Sequence, residues 1–172
     1  MPSLTLRFTL RNDLMGVPAT PVRSLAFVVR AEGGAREGRL STFPAAKLTG
    51  KPVALLQDYD NRLYYRDPTE RTGERAAGIA QLWGAEGCVS GMVKDFWQTY
   101  PKGLAMAAGR LELALFPRLP EDQYRAGGDR FQFISHYYWC KDGRYLIRRG
   151  LEVTSELTLR FDRSPPEPAA LY

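Results

Sequence analysis

The chain has 172 residues, of which 44% are hydrophobic and 25% charged, a composition typical of one globular domain with its own core. Its net charge of +5 comes from basic residues scattered along the chain, which argues against a nucleic-acid-binding protein and suits a partner with carboxylates. No run approaches the ~18 apolar residues of a membrane-spanning helix, and the N-terminus has no signal-peptide pattern.

Strict alternation of apolar and polar side chains marks both ends of the chain. The first run covers Leu4–Leu10, and the second covers Leu151–Phe161. A period of two residues puts alternate side chains on opposite faces of a strand. Both runs therefore predict half-buried antiparallel strands.

Further strand-like runs lie between these two ends and are separated by Gly, Pro and Asp-Gly turn signals. They are predicted at Ser24–Arg30, Val53–Gln57, Arg62–Tyr65, Ile79–Trp83, Cys88–Val93, Arg110–Phe116, Phe131–Trp139 and Tyr145–Arg148. The Asp-Gly pair in Lys141–Arg144 predicts a hairpin. So many strands predict an all-β fold, an antiparallel two-sheet β-sandwich over residues 1–163 with one short helical turn. The Pro-rich residues 164–172 are predicted to be a tail or linker.

The helical turn is predicted in the segment Asp95–Lys102, which follows one strand-like run and precedes another. Asp95 followed three residues later by Gln98 has the form of a capping box, and Pro101 would end the turn. The segment carries Trp97, Tyr100 and Lys102, side chains suited to holding a sugar. The alternative is that the two aromatic side chains, three residues apart, seat the turn on the sandwich.

The chain has two cysteines, Cys88 and Cys140, and neither stands in a metal-binding pattern. Two free buried thiols are expected. A single disulfide is the alternative if the two residues lie on facing strands. The compartment is therefore left open.

Three stretches resemble, in order and spacing, the central β-sandwich domain of exo-rhamnogalacturonan lyases and YetA-like proteins. They are Leu48–Asn61, then Asp95–Lys102 with the strand Leu111–Pro117, and then Tyr145–Phe161 around Arg148-Arg149-Gly150. The most specific part is the Asp-Phe-Trp-Gln segment with its Tyr-Pro-Lys, followed by the leucine-rich strand.

The resemblance implies a β-sandwich from a larger, usually exported polysaccharide-degrading protein that also has a helical toroid domain. Its expected partners are an acidic, pectic polysaccharide and the neighbouring domains, with no nucleic acid and no membrane. The chain matches only the central domain, so the expected role is structural, with substrate contacts. The alternative is a noncatalytic carbohydrate-binding or interaction module acting on its own.

Lyase chemistry on a uronate needs a base, an acid and a group that neutralises the carboxylate. Tyr100 and Lys102, which flank Pro101, and the sole histidine, His136, are the catalytic candidates. Trp97, Tyr100, Lys102 and Tyr138 are the candidates for substrate binding. The alternative for His136 is a hydrogen-bonded structural residue.

Two carboxylates and an amide occur within four residues at Asp58, Asp60 and Asn61. Such oxygen ligands would suit calcium, but a complete calcium loop needs more oxygens and a distal acid. Asp and Asn between strands are more often turn residues. The expectation is therefore no cofactor, with calcium as the alternative.

Overall fold

The computed structural model of the chain describes residues 2–49, 51–66, 70–119, 139–141 and 143–171. Two six-stranded antiparallel sheets and a three-stranded antiparallel sheet account for most of them. The strands are β1 (Ser3–Arg11), β2 (Ala19–Val22), β3 (Leu25–Arg30), β4 (Glu37–Leu40), β5 (Ala46–Lys47), β6 (Val53–Tyr59), β7 (Arg62–Tyr65), β8 (Arg71–Gly73), β9 (Ile79–Gly84), β10 (Gly87–Val93), β11 (Lys102–Ala107), β12 (Arg110–Phe116), β13 (Trp139–Lys141), β14 (Arg144–Arg148) and β15 (Glu152–Asp162). The predicted all-β antiparallel sandwich is confirmed.

The first sheet has the strand order β1-β15-β10-β9-β4-β5. The two alternating runs at the chain ends pair with each other in it, with Leu6 opposite Leu157 and Leu10 opposite Val153. Leu6, Leu10, Val153, Leu157 and Leu159 lie in the core or pack against it, whereas Leu4, Phe8 and Phe161 are exposed. The polar residues between them form the outer face of this sheet. The long-range pairing joins the two termini of the sandwich.

The second sheet has the strand order β3-β12-β11-β6-β7-β8. Its central strand β11 was not predicted, because Gly, Ala and Met carry little strand signal. On this strand Leu104 and Met106 are buried in the core, and Lys102 lies on the same face, two residues before Leu104. The sequence therefore puts a lysine at a core-facing position.

The two sheets approach closely at Gly91 in β10. A Cβ atom added there would lie 2.9 Å from a methyl group of Leu113, closer than side chains normally come. The core between the sheets consists mainly of Leu side chains from both sheets. A side chain at position 91 would require Leu113 to move.

The small third sheet, in the order β13-β14-β2, includes the predicted hairpin. Lys141 pairs with Arg144 across it, as predicted. Tyr145 in β14 is fully buried, donates a hydrogen bond to Pro117 O at 2.5 Å, and packs edge-on against Phe116. This contact ties the third sheet to the end of β12.

The capping box predicted at Asp95 is wrong. Asp95 has φ of +51°, whereas an N-cap residue takes an extended conformation with negative φ. Residues 94–99 form consecutive turns, in which Thr99 N donates to Asp95 O at 2.9 Å. Within the described ranges the helical turn lies elsewhere, in a 3-10 helix at Pro168–Leu171.

The C-terminal tail, residues 164–171, folds back over the outer face of the first sheet. Gln81, which is fully buried, donates to Pro166 O at 2.7 Å, and Arg39 lies 3.6 Å from the carboxylate of Glu167. Leu171 is buried at the end of this tail. The boundary at residue 163 stays a prediction.

Cys88 is a free, buried thiol, and burial raises its pKa. The side chain of Cys140 lies outside the described part of the structure, as does the predicted strand Phe131–Trp139 except for the backbone of Trp139. No helix among the described residues is long and apolar enough to span a membrane.

Candidate functional site

A groove of about 750 Å³ lies on the outer face of the first sheet. It is bounded by the turn after β10, by the segment before β9, by β15 and by the last residue of the tail. Its lining includes Arg75, Met92, Lys94, Asp95, Trp97, Gln98, Glu156, Thr158 and Leu171. The groove therefore combines an aromatic wall with charges of both signs, and we call it the Trp97 groove.

The turn that carries Trp97 is held in place by its neighbour Phe96. Phe96 is only 2% exposed, and its side chain packs against Gly78 so closely that a Cβ added to Gly78 would lie 2.5 Å from Phe96 Cβ. Two backbone hydrogen bonds hold the start of the turn: Val93 N donates to Gly78 O, and Lys94 N donates to Glu156 O. Because Phe96 is buried in the core, the next residue, Trp97, is directed to the groove.

Arg75 stacks on Trp97. Its guanidinium carbon lies 4.0 Å from the centre of the Trp97 ring, within the range of a cation–π contact. The Nε of Arg75 also donates to Asp60 O at 3.3 Å. Arg75 therefore links the aromatic wall of the groove to the β6–β7 turn.

Glu156 lies between two exposed cations at the edge of the groove. Its carboxylate is 3.7 Å from Lys94 Nζ and 3.5 Å from an Nη atom of Arg7. Charge-assisted hydrogen bonds are normally about 2.7–2.9 Å long, so both ion pairs are loose. The side chains of Lys94 and Arg7 are 62% and 73% exposed and can reorient toward a ligand at little cost.

Tyr100 packs on Tyr59. The two ring centres are 4.9 Å apart and tilted by 40°. Burial raises the pKa of Tyr100, and the neighbouring Tyr59 and Asp60 raise it further. The raised pKa keeps the Tyr100 phenol protonated at neutral pH, and its catalytic role stays a prediction.

Lys102 is buried in the core and is only 1% exposed. Its Nζ donates to Thr99 O at 2.6 Å and lies 5.7 Å from the centre of the Phe116 ring. Burial lowers the pKa of Lys102 to about 7. A pKa near 7 would suit a general base. However, the same burial keeps the amine of Lys102 out of contact with a ligand in the Trp97 groove.

The Asp58, Asp60 and Asn61 cluster lies at the β6–β7 turn. Asp58 is 1% exposed, and its carboxylate is held by Arg62 Nε at 2.7 Å. The backbone carbonyls of Asp60 and Asn61 accept hydrogen bonds from Arg75 and Arg71. No group of three or more His, Cys, Asp or Glu side chains suited to a metal occurs in the part of the chain described. The absence of a cofactor stays a prediction.

Gln57 holds this turn together from inside. Its Nε2 donates to Tyr59 O and Glu74 O at 2.6 and 2.8 Å, and its Oε1 accepts from Ala76 N at 2.9 Å. The side chain is fully buried. Gln57 therefore fixes the segment that carries Arg75 relative to the turn that carries Tyr59.

Of the candidate residues, Trp97 lines the groove, whereas Lys102 is in the core and Tyr100 packs on Tyr59. His136 and Tyr138 lie outside the described residues. The sequence patterns do not predict a binding role for Arg75, Lys94 or Glu156, which also line the groove. For Glu156 the alternation of β15 gave an outward position, but no local pattern connects Arg75 with Trp97.

A comparison of the chain with models of known protein families finds no match, and a comparison with curated proteins finds none either.

Proposed function

We propose that this domain binds an acidic polysaccharide of the pectic class in the Trp97 groove, as part of a polysaccharide-degrading protein that resembles exo-rhamnogalacturonan lyases. The observation that carries the proposal is the presence of Trp97 in the wall of a 750 Å³ groove, beside the exposed cation Lys94. That volume falls within the range of about 300–1,000 Å³ common for ligand sites.

The chemistry of the groove suits a uronic-acid sugar. An aromatic ring packs against the apolar face of a sugar, and the hydroxyl groups at the sugar's edge need hydrogen-bond partners. Gln98, Asp95 and Thr158 supply such partners in the same lining. Arg75 and Lys94 supply positive charge for a carboxylate, and the planar guanidinium of Arg75 can bind one through two parallel hydrogen bonds.

A binding role is better supported than an acid–base role. The buried amine of Lys102 has its hydrogen bond to Thr99 O on the core side of the turn, and the Tyr100 phenol is held protonated. Substrate contacts from this domain would then assist a catalytic centre that neighbouring domains complete. Acting alone, the domain would be a noncatalytic carbohydrate-binding module.

The test is affinity electrophoresis in gels that contain rhamnogalacturonan. The wild-type domain is expected to be retarded, and Trp97→Ala to bind about tenfold more weakly, a change of about 1.4 kcal/mol. Trp83→Ala is the matched control, because Trp83 lies at the opposite end of β9 and its Nε1 donates to Glu37. Unchanged mobility of the wild type would overturn the proposal and leave a structural role.

A further inference from the structure

A second recess adjoins the Trp97 groove on the same face of the first sheet. It has a volume of about 220 Å³ and shares Lys94, Asp95 and Glu156 with the groove. Its remaining lining consists of Arg7, Thr99, Thr154 and Ser155. We call it the Arg7 recess.

We propose that the Trp97 groove and the Arg7 recess form one cleft with two subsites, so that the ligand is a saccharide chain of at least two sugar units rather than a single sugar. This inference rests on the proposed carbohydrate-binding function. The chain would run along the outer face of β15 and cross Glu156.

The partition between the two subsites is made of exposed side chains. Arg7 lines the recess and Lys94 lines both subsites, and they lie 3.5 and 3.7 Å from the carboxylate of Glu156. Loose, exposed ion pairs contribute little to stability, so both cations are available to a ligand. A sugar carboxylate beside Glu156 would share Lys94 and Arg7 with it, because the two cations offset the repulsion between the two carboxylates.

The two subsites differ in one respect. Both have hydroxyl groups and a guanidinium, but only the lining of the Trp97 groove includes an aromatic side chain. At 220 Å³ the recess is smaller than the common range of about 300–1,000 Å³ for a complete ligand site. The Arg7 recess is therefore suited to bind a further sugar unit of a chain that is held mainly in the Trp97 groove.

The experiment is isothermal titration calorimetry of the domain with galacturonic acid and with unbranched rhamnogalacturonan oligosaccharides of two, four and six sugar units. We expect affinity to rise roughly tenfold or more between the single sugar and the shorter oligosaccharides, because the second contact becomes intramolecular. Two surface variants test the recess: Arg7→Gln removes its charge, and Thr154→Tyr fills its space. Both should abolish the gain from chain length, and Thr154→Tyr, which changes a residue that lines the recess but not the groove, should leave the affinity for galacturonic acid unchanged.

Three results separate the outcomes. A gain with length that both variants remove, together with weaker binding of every ligand by Trp97→Ala, supports the two-subsite cleft. Binding that does not depend on chain length, or a gain that both variants retain, overturns the cleft but leaves the carbohydrate-binding function intact. Absence of binding to every oligosaccharide and to the polymer overturns the proposed function itself.

Discussion

Replacing Lys102 with Met tests whether the buried amine is neutral in the folded protein. Burial lowers its pKa to about 7, whereas a lysine in the unfolded chain titrates near 10.4. Between these values the unfolded state binds more protons than the folded state, so Lys102 makes the free energy of unfolding rise with pH. Below pH ~7 the amine is charged in both states, and its burial destabilises the fold by its full amount.

The size of the effect follows from the shift. Lowering the pKa of Lys102 from about 10.4 to about 7 corresponds to at most about 5 kcal/mol, because the folded protein relaxes around a buried charge. Methionine has a similar length and no charge, but it leaves Thr99 O without its donor, which costs about 1–3 kcal/mol. At pH ~6 Lys102→Met should therefore be more stable than the wild type by a few kcal/mol. This advantage should shrink as the pH rises and become a disadvantage of about 1–3 kcal/mol above pH ~10, where only the lost hydrogen bond counts.

The assay is urea unfolding of both proteins at several pH values from about 6 to about 10. Other titrating groups are common to both proteins, so the difference in unfolding free energy isolates Lys102. Met106→Leu, which changes a core-facing residue of the same strand without a titratable group, should give a difference that does not vary with pH. A pH-independent difference for Lys102→Met as well would refute the reasoning.

Three further predictions follow from buried contacts. Gln57→Leu removes hydrogen bonds to three backbone carbonyls and one amide and should lower the free energy of unfolding by about 2–4 kcal/mol. Urea unfolding measures it, with Gln98→Leu as an exposed control. Gly78→Ala would bring a methyl group against Val93 O and Phe96 and should destabilise by about 1–3 kcal/mol; an unchanged midpoint would contradict the close packing. Calcium should leave the melting temperature unchanged, because Arg62 holds the carboxylate of Asp58, and a rise that Asp58→Asn abolishes would establish a metal site.

The strands with strict alternation were predictable because one of their faces is buried and the other is not. Arg62–Tyr65 and Arg110–Phe116 were predicted with the bounds that the structure has. The central strand β11 was not predicted because the residues that alternate with Leu104 and Met106 are small and apolar (Gly103, Ala105 and Ala107), so no apolar–polar alternation is visible. The shortest strands, such as Ala46–Lys47, are set by their neighbours rather than by their own sequence.

The site was predictable in part. Trp97 was identified from its place in an unusual turn, yet the turn is not helical: Asp95 has a positive φ, which the capping pattern does not predict. The burial of Lys102 was not predicted, because Lys102 lies in β11 and that strand was not predicted. Arg75 could not be assigned to Trp97, since only the tertiary contact through Gln57 and Gly78 brings their segments together.

The C-terminal tail has a consequence for how the sandwich is assembled. Its hydrogen bond from Gln81, its ion pair with Arg39 and the burial of Leu171 would be weak contacts for a free peptide of nine residues. Covalent attachment to β15 gives the tail an effective concentration on the order of millimolar, which makes these contacts sufficient. The tail therefore acts as an intramolecular ligand of the first sheet. In a chain that ended at residue 163, the surface that the tail covers, including Gln81, would be open to other molecules.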